Sequence, residues 1–380
     1  MISLYQIPVL ADCQIGGVVN WLGVVGEDGQ GVLLGAVAVQ GGNAFADAIR
    51  LRHAGGEIVQ DSDLVTTGGI DLYFPPPYPA SFGSGMFFLA PSEEATSKVV
   101  YSEYSWVKFS NPQLNKYSVD SLNQSGILSF NDICLLNTYE NVFGQKRGSL
   151  SIYQLDEELV SYINQSSALL ELGIVADNSS ASVIGNENAV YAYTSSSSQS
   201  PLFYRVSVDS SRESISIYGN YTIDDSTGTR VSVAGNKTGS NFCVQYFVNS
   251  EARIMYGELA VDGQFLFGDA FPYRAGDNAH NEAAAHKGGT TWLHGTDSAF
   301  SAVPSALGFD IFFHTFDNLE VASELVGSVV CPPQTPAMCS TGSTAYLGFI
   351  GSDGAANIAV ITAASASGDI FWTRHTLQKE

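Results

Sequence analysis

Positive charge is scarce in this sequence: 16 Lys and Arg stand against 38 Asp and Glu, a formal net charge of −22 over 380 residues. Binding a phosphate backbone needs a surplus of Lys and Arg, so this balance excludes nucleic acid as a partner. It disfavours anionic membrane surfaces as well, and it leaves copies of the chain mutually repelling. Long apolar runs are also missing. No stretch approaches the ~20 residues of a membrane-spanning helix, so no membrane insertion is expected. Met1 to Leu10 has neither a basic start nor a long apolar core, which makes it a poor signal peptide.

Cysteine is sparse and odd in number, at 5. Cys13, Cys134 and Cys243 lie in or beside apolar, strand-like segments, where a free thiol acts as a small hydrophobe. Cys331 and Cys339 bracket a proline-rich loop that a disulfide could staple.

Signatures of chemistry are absent too. The sequence has no G-x-S-x-G elbow, phosphate-binding glycine loop, dinucleotide fingerprint, H-E-x-x-H pair or twelve-residue calcium loop. With 38 acidic residues, a glycosidase-like carboxylate pair can always be proposed, so proposing one carries little weight.

What is present points to strands. Hydrophobic residues make up 45% of the chain, enough for a substantial core, and 38 glycines suit turns better than long helices. Segments 98–109, 202–208, 214–223, 242–248 and 253–261 are rich in aromatic and β-branched residues. Hairpin turns are expected at Glu27-Asp28-Gly29, Val261-Asp262-Gly263 and Ser352-Asp353-Gly354. Helical spacing is confined to Gln154–Asn164, with Leu155, Leu159, Tyr162 and Ile163 on one face, and to a short turn at Asn278–His286. Residues 59–84, with Phe74-Pro75-Pro76-Pro77-Tyr78-Pro79, read as an extended surface loop. The sequons at Asn123, Asn164, Asn178, Asn220 and Asn236 follow from Ser/Thr richness and matter only on a secreted chain.

The strand clusters recur. Asp47 to His53 and Asp369 to His375 both read D-x4-R-H, and Trp21 to Gly29 matches Tyr346 to Gly354 upstream. Thr291 to His294 with Asp310 to His314 forms a looser third copy. Units begin near residues 20, 85, 130, 187, 241, 291 and 345, a mean step of about 54 residues, the scale of a four-stranded propeller blade. The last unit offers three strands, and residues 1–10 supply a spare one.

This pattern resembles a seven-bladed β-propeller. The resemblance implies one all-β domain over residues 1–380, closed by the N-terminal strand pairing with the last blade. Two packed β-sandwiches would share the composition and are the competing architecture.

In the repeat, Asp and Arg differ by an odd number and point to opposite faces of a regular strand. A catalytic set would also occur once. Asp47, Arg52, His53, Asp369, Arg374 and His375 are therefore read as structural braces at the seam, and no catalytic residue is assigned. Four of the 6 histidines lie between His280 and His314. His280, His286 and His294, with Asp277, Glu282 and Asp297, are candidate metal ligands at a spacing no zinc pattern matches. No cofactor is expected, although Asp/Asn turns such as Asp61-Ser62-Asp63 leave room for calcium or another divalent cation. Gly289 to Trp292 echoes the Asp-box turn of sialidase-type propellers, but Ala285 and Lys287 replace its Ser and Asp. Most of the 18 Tyr and 21 Phe are assigned to the core; Tyr73, Phe74 and Tyr78, in a loop of prolines, are the candidate contact surface.

The expected function is a non-enzymatic structural or interaction protein. Its style of sequence is similar to virion components of phages and related viruses, such as tail, spike or receptor-binding proteins. That implies partners in an assembly, or a cell-surface receptor or glycan. It also implies a virion or extracellular location reached without a signal peptide, and the cytoplasm if the protein is cellular. A carbohydrate-binding lectin and a propeller glycosidase or polysaccharide lyase are the alternatives.

Overall fold

The computed structural model describes the backbone of thirty-one strands between Ile2 and Thr376. Side chains are described mainly over residues 180–192, 201–207, 230–275 and 288–362, with single positions elsewhere such as Arg52 and His286. No helix occurs among the described residues. The strands form seven sheets, distributed over two compact units.

Unit 1 comprises Met1–Gln124, Leu155–Ser161 and Ala337–Glu380. Its first sheet runs β2 (Val18–Gly26), β3 (Gly31–Gln40), β4 (Asn43–Ala54), β5 (Glu57–Gln60), with β6 (Val65–Ile70) also pairing β4. The second runs β10 (Asn115–Val119), β9 (Ser97–Glu103), β8 (Gly85–Pro91), β7 (Tyr78–Phe82). The C-terminal sheet runs β28 (Ala337–Thr341), β29 (Thr344–Ile350), β30 (Ala356–Thr362), β1 (Ile2–Gln6), β31 (Thr373–Thr376). The N-terminal strand β1 thus lies inside that sheet, antiparallel to β30 (Leu4 opposite Ala359) and parallel to β31 (Leu4 opposite Arg374).

Unit 2 comprises Ser125–Gln154 and Tyr162–Pro336. Four antiparallel sheets follow in chain order. Sheet 3 is β11 (Asn123–Phe130) to β14 (Leu159–Leu170), with β12 (Ile133–Val142) and β13 (Gln145–Asp156) between them. Sheet 4 is β15 (Asn178–Ile184), β16 (Asn188–Thr194), β17 (Leu202–Val208) and β18 (Ile215–Thr222). Sheet 5 is β19 (Thr229–Gly235), β20 (Asn241–Val248), β21 (Glu251–Leu259) and β22 (Phe265–Phe267), with β23 (Phe271–Arg274) further along the edge of β21. Sheet 6 is β24 (Gly289–Trp292), β25 (Ser298–Ser305), β26 (Gly308–Asp317) and β27 (Glu320–Val330).

Two local expectations need correction. Gln154–Asn164 is not helical: it ends β13 and opens β14, because β14 is hydrogen-bonded alongside β13 in the same sheet. Residues 59–84 are not one loop, since β6 and β7 lie within them. Pro79 is accommodated because β7 is an edge strand of its sheet and need not donate to a second neighbour.

Turn chemistry follows the residues closely. In Val261-Asp262-Gly263 and Ser352-Asp353-Gly354 the Asp Oδ1 accepts the backbone N–H two residues on, at 3.0 and 3.1 Å. The following Gly takes a φ of 83° and 76° respectively. The Glu27-Asp28-Gly29 turn lies outside the described residues.

Sheet 5 packs on both faces. One buried layer joins Ile184, Val190 and Phe203 of sheet 4 to Val231, Phe242, Val244 and Tyr246. The other joins Cys243, Ile254 and Tyr256 to Trp292, Ala299 and Phe316 of sheet 6. Trp292 and Phe316 stack at 5.1 Å with planes 9° apart. Burying each such ring stabilises by roughly 1.5–3 kcal/mol.

Serine hydroxyls fasten sheet 4 to sheet 5. Ser180 and Ser182 Oγ accept the backbone N–H of Val233 and Gly235 at 2.9 and 2.8 Å. Gly235 is required there, because a Cβ would lie 2.1 Å from the Val183 carbonyl oxygen. The Asn236 sequon is likewise structural: its side chain is buried and Oδ1 accepts from both the N–H and the hydroxyl of Thr238.

Candidate binding site

The most suggestive chemistry in the described residues is a chain across sheet 6. Ser301 (β25) Oγ lies 2.7 Å from His314 (β26) Nε2, and His314 Nδ1 lies 2.6 Å from Ser323 (β27) Oγ. Ser301 donates its hydroxyl proton onward to the Tyr273 hydroxyl oxygen at 3.3 Å. These are the contacts of a nucleophile with its base, yet the arrangement cannot work as one. With the Ser301 proton given to Tyr273, the hydrogen-bond network assigns the His314 proton to Nε2, leaving Nδ1 to accept from Ser323. The nitrogen facing Ser301 is then already protonated and cannot take its proton. Burial holds the imidazole down to about 3, and no carboxylate stands behind it. Ser301 and His314 are both 0% exposed, so no substrate reaches them. The chain is a neutral polar brace.

An accessible site lies between the outer edges of sheets 5 and 6. A groove of about 550 Å³ is formed by Phe267 to Phe271 on one side and Asn318 to Val321 on the other. On the first side, β22 ends where the Gly268 N–H bonds to the Tyr256 carbonyl, 3.0 Å. Gly268 passes so close to the facing turn that a Cβ would meet the Leu319 carbonyl oxygen at 2.2 Å. On the other side the β26–β27 turn holds Asn318 and Leu319 at φ of 48° and 70°. Positive φ is natural for Asn but strained for Leu, and such strain concentrates at ligand clamps. Leu319 and Val321 pack on the Trp292–Phe316 layer, so the groove floor continues the core. Phe271 is 38% exposed, and the carboxylates in the lining are Asp269 and Glu320.

The sequence-derived candidates are distributed as follows. Tyr73 and Phe74 lie outside the described residues, as does the side chain of Tyr78, which opens β7. Asp47, Arg52 and His53 all belong to β4, with Arg52 opposite Gly31 and Val59. Arg374 and His375 sit in β31 opposite Leu4 and Tyr5, while Asp369 lies outside the described residues. The repeats are therefore not equivalent: β4 is third in its sheet, whereas β31 lies beyond the inserted β1.

In the third copy the side chains are described, and its Asp is an inter-sheet brace. Asp310 Oδ2 lies 3.0 Å from Arg274 Nη2 of sheet 5, and its Oδ1 accepts from Ser328 at 2.7 Å.

Among the described residues no three metal-ligating side chains come together. His286 Nδ1 stands 3.5 Å from Thr335 Oγ1 and its carbonyl accepts from Arg230. Asp297 accepts from Asn241 at 3.1 Å. His294 follows β24, and Asp277, His280 and Glu282 lie outside the described residues. The loop that a disulfide could staple is not closed by one: Cys331 and Cys339 are free thiols. Cys331 is buried, its N–H bonded to the Leu307 carbonyl at 3.0 Å, and burial pushes its thiol up to about 12. Cys339 is fixed in β28 opposite Tyr346. Cys331 directly follows β27, whereas Cys339 lies within β28.

No family model matches the chain. No curated protein matches it either. Solved structures do. The Cps50 (Swd1) β-propeller domain of Myceliophteria thermophila matches with a TM-score of 0.51 and 8% identity, covering 90% of this chain and 100% of that one. The fold is a β-propeller. A provisional 6-phosphogluconolactonase of Bacteroides uniformis matches with a TM-score of 0.53 and 11% identity over 80% of this chain and 84% of its own. At such identities the likeness extends to the fold alone, and the propeller's function has to be argued from its own residues.

The groove was not legible beforehand. Asp269, Phe271 and Leu319 belong to no motif. The one available signal was Asn-Leu between two strands, where a two-residue turn demands positive φ and Asn-Gly is the usual choice.

Proposed function

We propose that this propeller is a non-enzymatic binding platform whose contact surface includes the groove between Phe271 and Leu319. One observation carries this reading: among the described residues the serine–histidine pair is sealed in sheet 6, while a strained turn and an exposed Phe hold an acidic, apolar groove open. Charge decides the occupant. The lining carries Asp269 and Glu320 without a cation, and the chain bears −22 overall, so a second copy is repelled. The fitting partner is a protein that presents a basic segment with an apolar side chain. In its more specific form the partner is a neighbouring virion protein or a receptor, in line with the style of the sequence, and the seven sheets form a ring closed at β1.

The test is fluorescence anisotropy of an alternating Arg-Leu peptide with the full chain. Phe271→Ala and Glu320→Gln should each weaken binding about 5-fold or more, whereas Glu187→Gln, an exposed carboxylate in the β15–β16 turn, should leave it unchanged. Equal weakening by all three variants means non-specific charge and defeats the reading. Binding of a neutral oligosaccharide at Phe271 replaces it with a lectin, and turnover of a polysaccharide replaces it with an enzyme. Mass spectrometry of purified particles checks the virion form.

A further inference from the structure

A second feature of unit 2 concerns one of the few basic side chains. Arg230 lies at the start of β19, where the pairing with β20 slips between Thr229 and Ser232. This bulge re-aims a side chain. Its φ is 55°, a left-handed conformation that a long side chain rarely adopts and that recurs at functional sites. The guanidinium lies over the face of Phe247, 4.6 Å from the ring centroid. A single 3.3 Å bond to the His286 carbonyl uses one of its five N–H donors.

No carboxylate pairs with it among the described residues. The described ion pairs are Arg253–Glu251 and Arg274–Asp310. Arg205, by contrast, spends its donors on the Asn188 side chain and the Gly263 carbonyl. Arg230 is thus a partly buried cation, lowered from its ordinary value by burial alone, in a chain with more than twice as many acids as bases. Leaving such a charge unpaired is costly.

Its neighbours can complete a site. Thr229 pairs with Phe247, so the start of β19 and the end of β20 share one end of sheet 5. The His286 ring lies beside it, with Thr335 Oγ1 3.5 Å from Nδ1. His286 is lowered by burial and then by the Arg230 charge, so its imidazole stands neutral beside the guanidinium. In the layer beneath, Gln245 is two residues from Phe247 on the same face of β20 and packs against Gly288. Its wholly buried amide has neither nitrogen nor oxygen in hydrogen-bond geometry. It acts on the ionisation of the nearby Tyr273 hydroxyl without being aligned with it.

We infer that Arg230 and His286, floored by Phe247 and rimmed by Thr335, bind an oxyanion: the carboxylate or phosphate group of a small ligand. The guanidinium fork offers parallel donors to two oxygens, and with the Thr335 hydroxyl donating to His286 Nδ1, the Nε2–H of the neutral imidazole offers another. Bulge, positive φ and unpaired charge are separate costs that a purely structural Arg would not combine.

The test is calorimetric titration of the full chain with inorganic phosphate and with glucuronate, against glucose and sodium chloride at matched ionic strength. One of the two oxyanions should bind and the controls should not; which one binds identifies the ligand as a phosphate or a carboxylate. Arg230→Gly should lose binding at least tenfold while its ligand-free Tm stays level or rises, because Gly accepts the φ and no charge remains to desolvate. Arg230→Lys, which keeps the charge but not the fork, should bind more weakly than the parent. The inference is overturned if neither oxyanion binds, if Arg230→Gly binds as well as the parent, or if Arg230→Gly lowers the ligand-free Tm, which would make the Arg structural. Any of these results leaves the groove reading standing.

Discussion

Arg274 and Asp310 join sheet 5 to sheet 6: Nη2 lies 3.0 Å from Oδ2, while Nη1 donates to the Pro304 carbonyl at 2.8 Å. Their side chains are 16% and 23% exposed, so the pair is largely shielded from solvent. Asp310→Ala should cost about 2–3 kcal/mol in urea unfolding, somewhat less than a fully buried pair, because it strands the guanidinium against sheet 6. Arg274→Ala in the same background should add little. A cost for Asp310→Ala below about 0.5 kcal/mol, the range of an exposed pair, would remove the brace.

His314 makes a pH prediction. Its folded value, about 3, lies below the unfolded 6.5 because the buried imidazole resists charging. Between those values the unfolded chain holds more protons. The stability it contributes is therefore present above pH 6.5 and lost as pH falls towards 3. By pH 5 the loss should be about 2 kcal/mol relative to pH 7.5, before most carboxylates titrate. His286, also lowered, acts in the same direction. In His314→Gln the pH 7.5-to-5 difference in denaturant midpoint should shrink. An unchanged difference would show that His314 is not the group responsible.

Gly235 tests the contact between sheets 4 and 5. A Cβ at this position would sit 2.1 Å from the Val183 carbonyl oxygen, and backbone cannot swing aside as a side chain can. Gly235→Ala should cost at least about 2 kcal/mol. Ser182→Ala, which deletes the 2.8 Å bond to the Gly235 N–H, should cost about 1 kcal/mol. Equal stability of Gly235→Ala and the parent would contradict the close approach of β19 to β15.

Thiol labelling follows burial. Cys243 is fully buried and its thiol is held well above the ordinary range, chiefly by desolvation; Cys331 is pushed up to about 12 for the same reason. Peptide mapping after iodoacetamide treatment of the native chain should find Cys339 modified, and Cys243 and Cys331 modified only in denaturant. A Cys331–Cys339 linked peptide would restore the disulfide.

Local features were readable in advance. Asp262-Gly263 and Asp353-Gly354 behave as their residues demand, because an Asx turn and a positive-φ glycine are decided within four residues. Asp310 of the looser third copy bridges to Arg274 and Ser328, whereas the side chains of Asp47 and Asp369 lie outside the described residues. The helical face at Gln154–Asn164 misled because four apolar residues cannot outweigh the pairing of β14 with β13. Nor could the repeat reveal that β31 sits beyond β1, since its position depends on a strand some 370 residues away.

By itself, the sequence determined the all-β class and the turns at Asp262-Gly263 and Asp353-Gly354, for these follow from composition, alternation and local turn chemistry. Only the tertiary structure decided which polar groups found partners. Ser301 and His314, unremarked as a pair in the chain, meet and close on themselves because β25 and β26 are neighbours. Arg230, ordinary in the sequence, meets among the described residues a ring, a carbonyl and an imidazole but no carboxylate. Pairing and burial are relations between distant segments, and a linear pattern does not contain them.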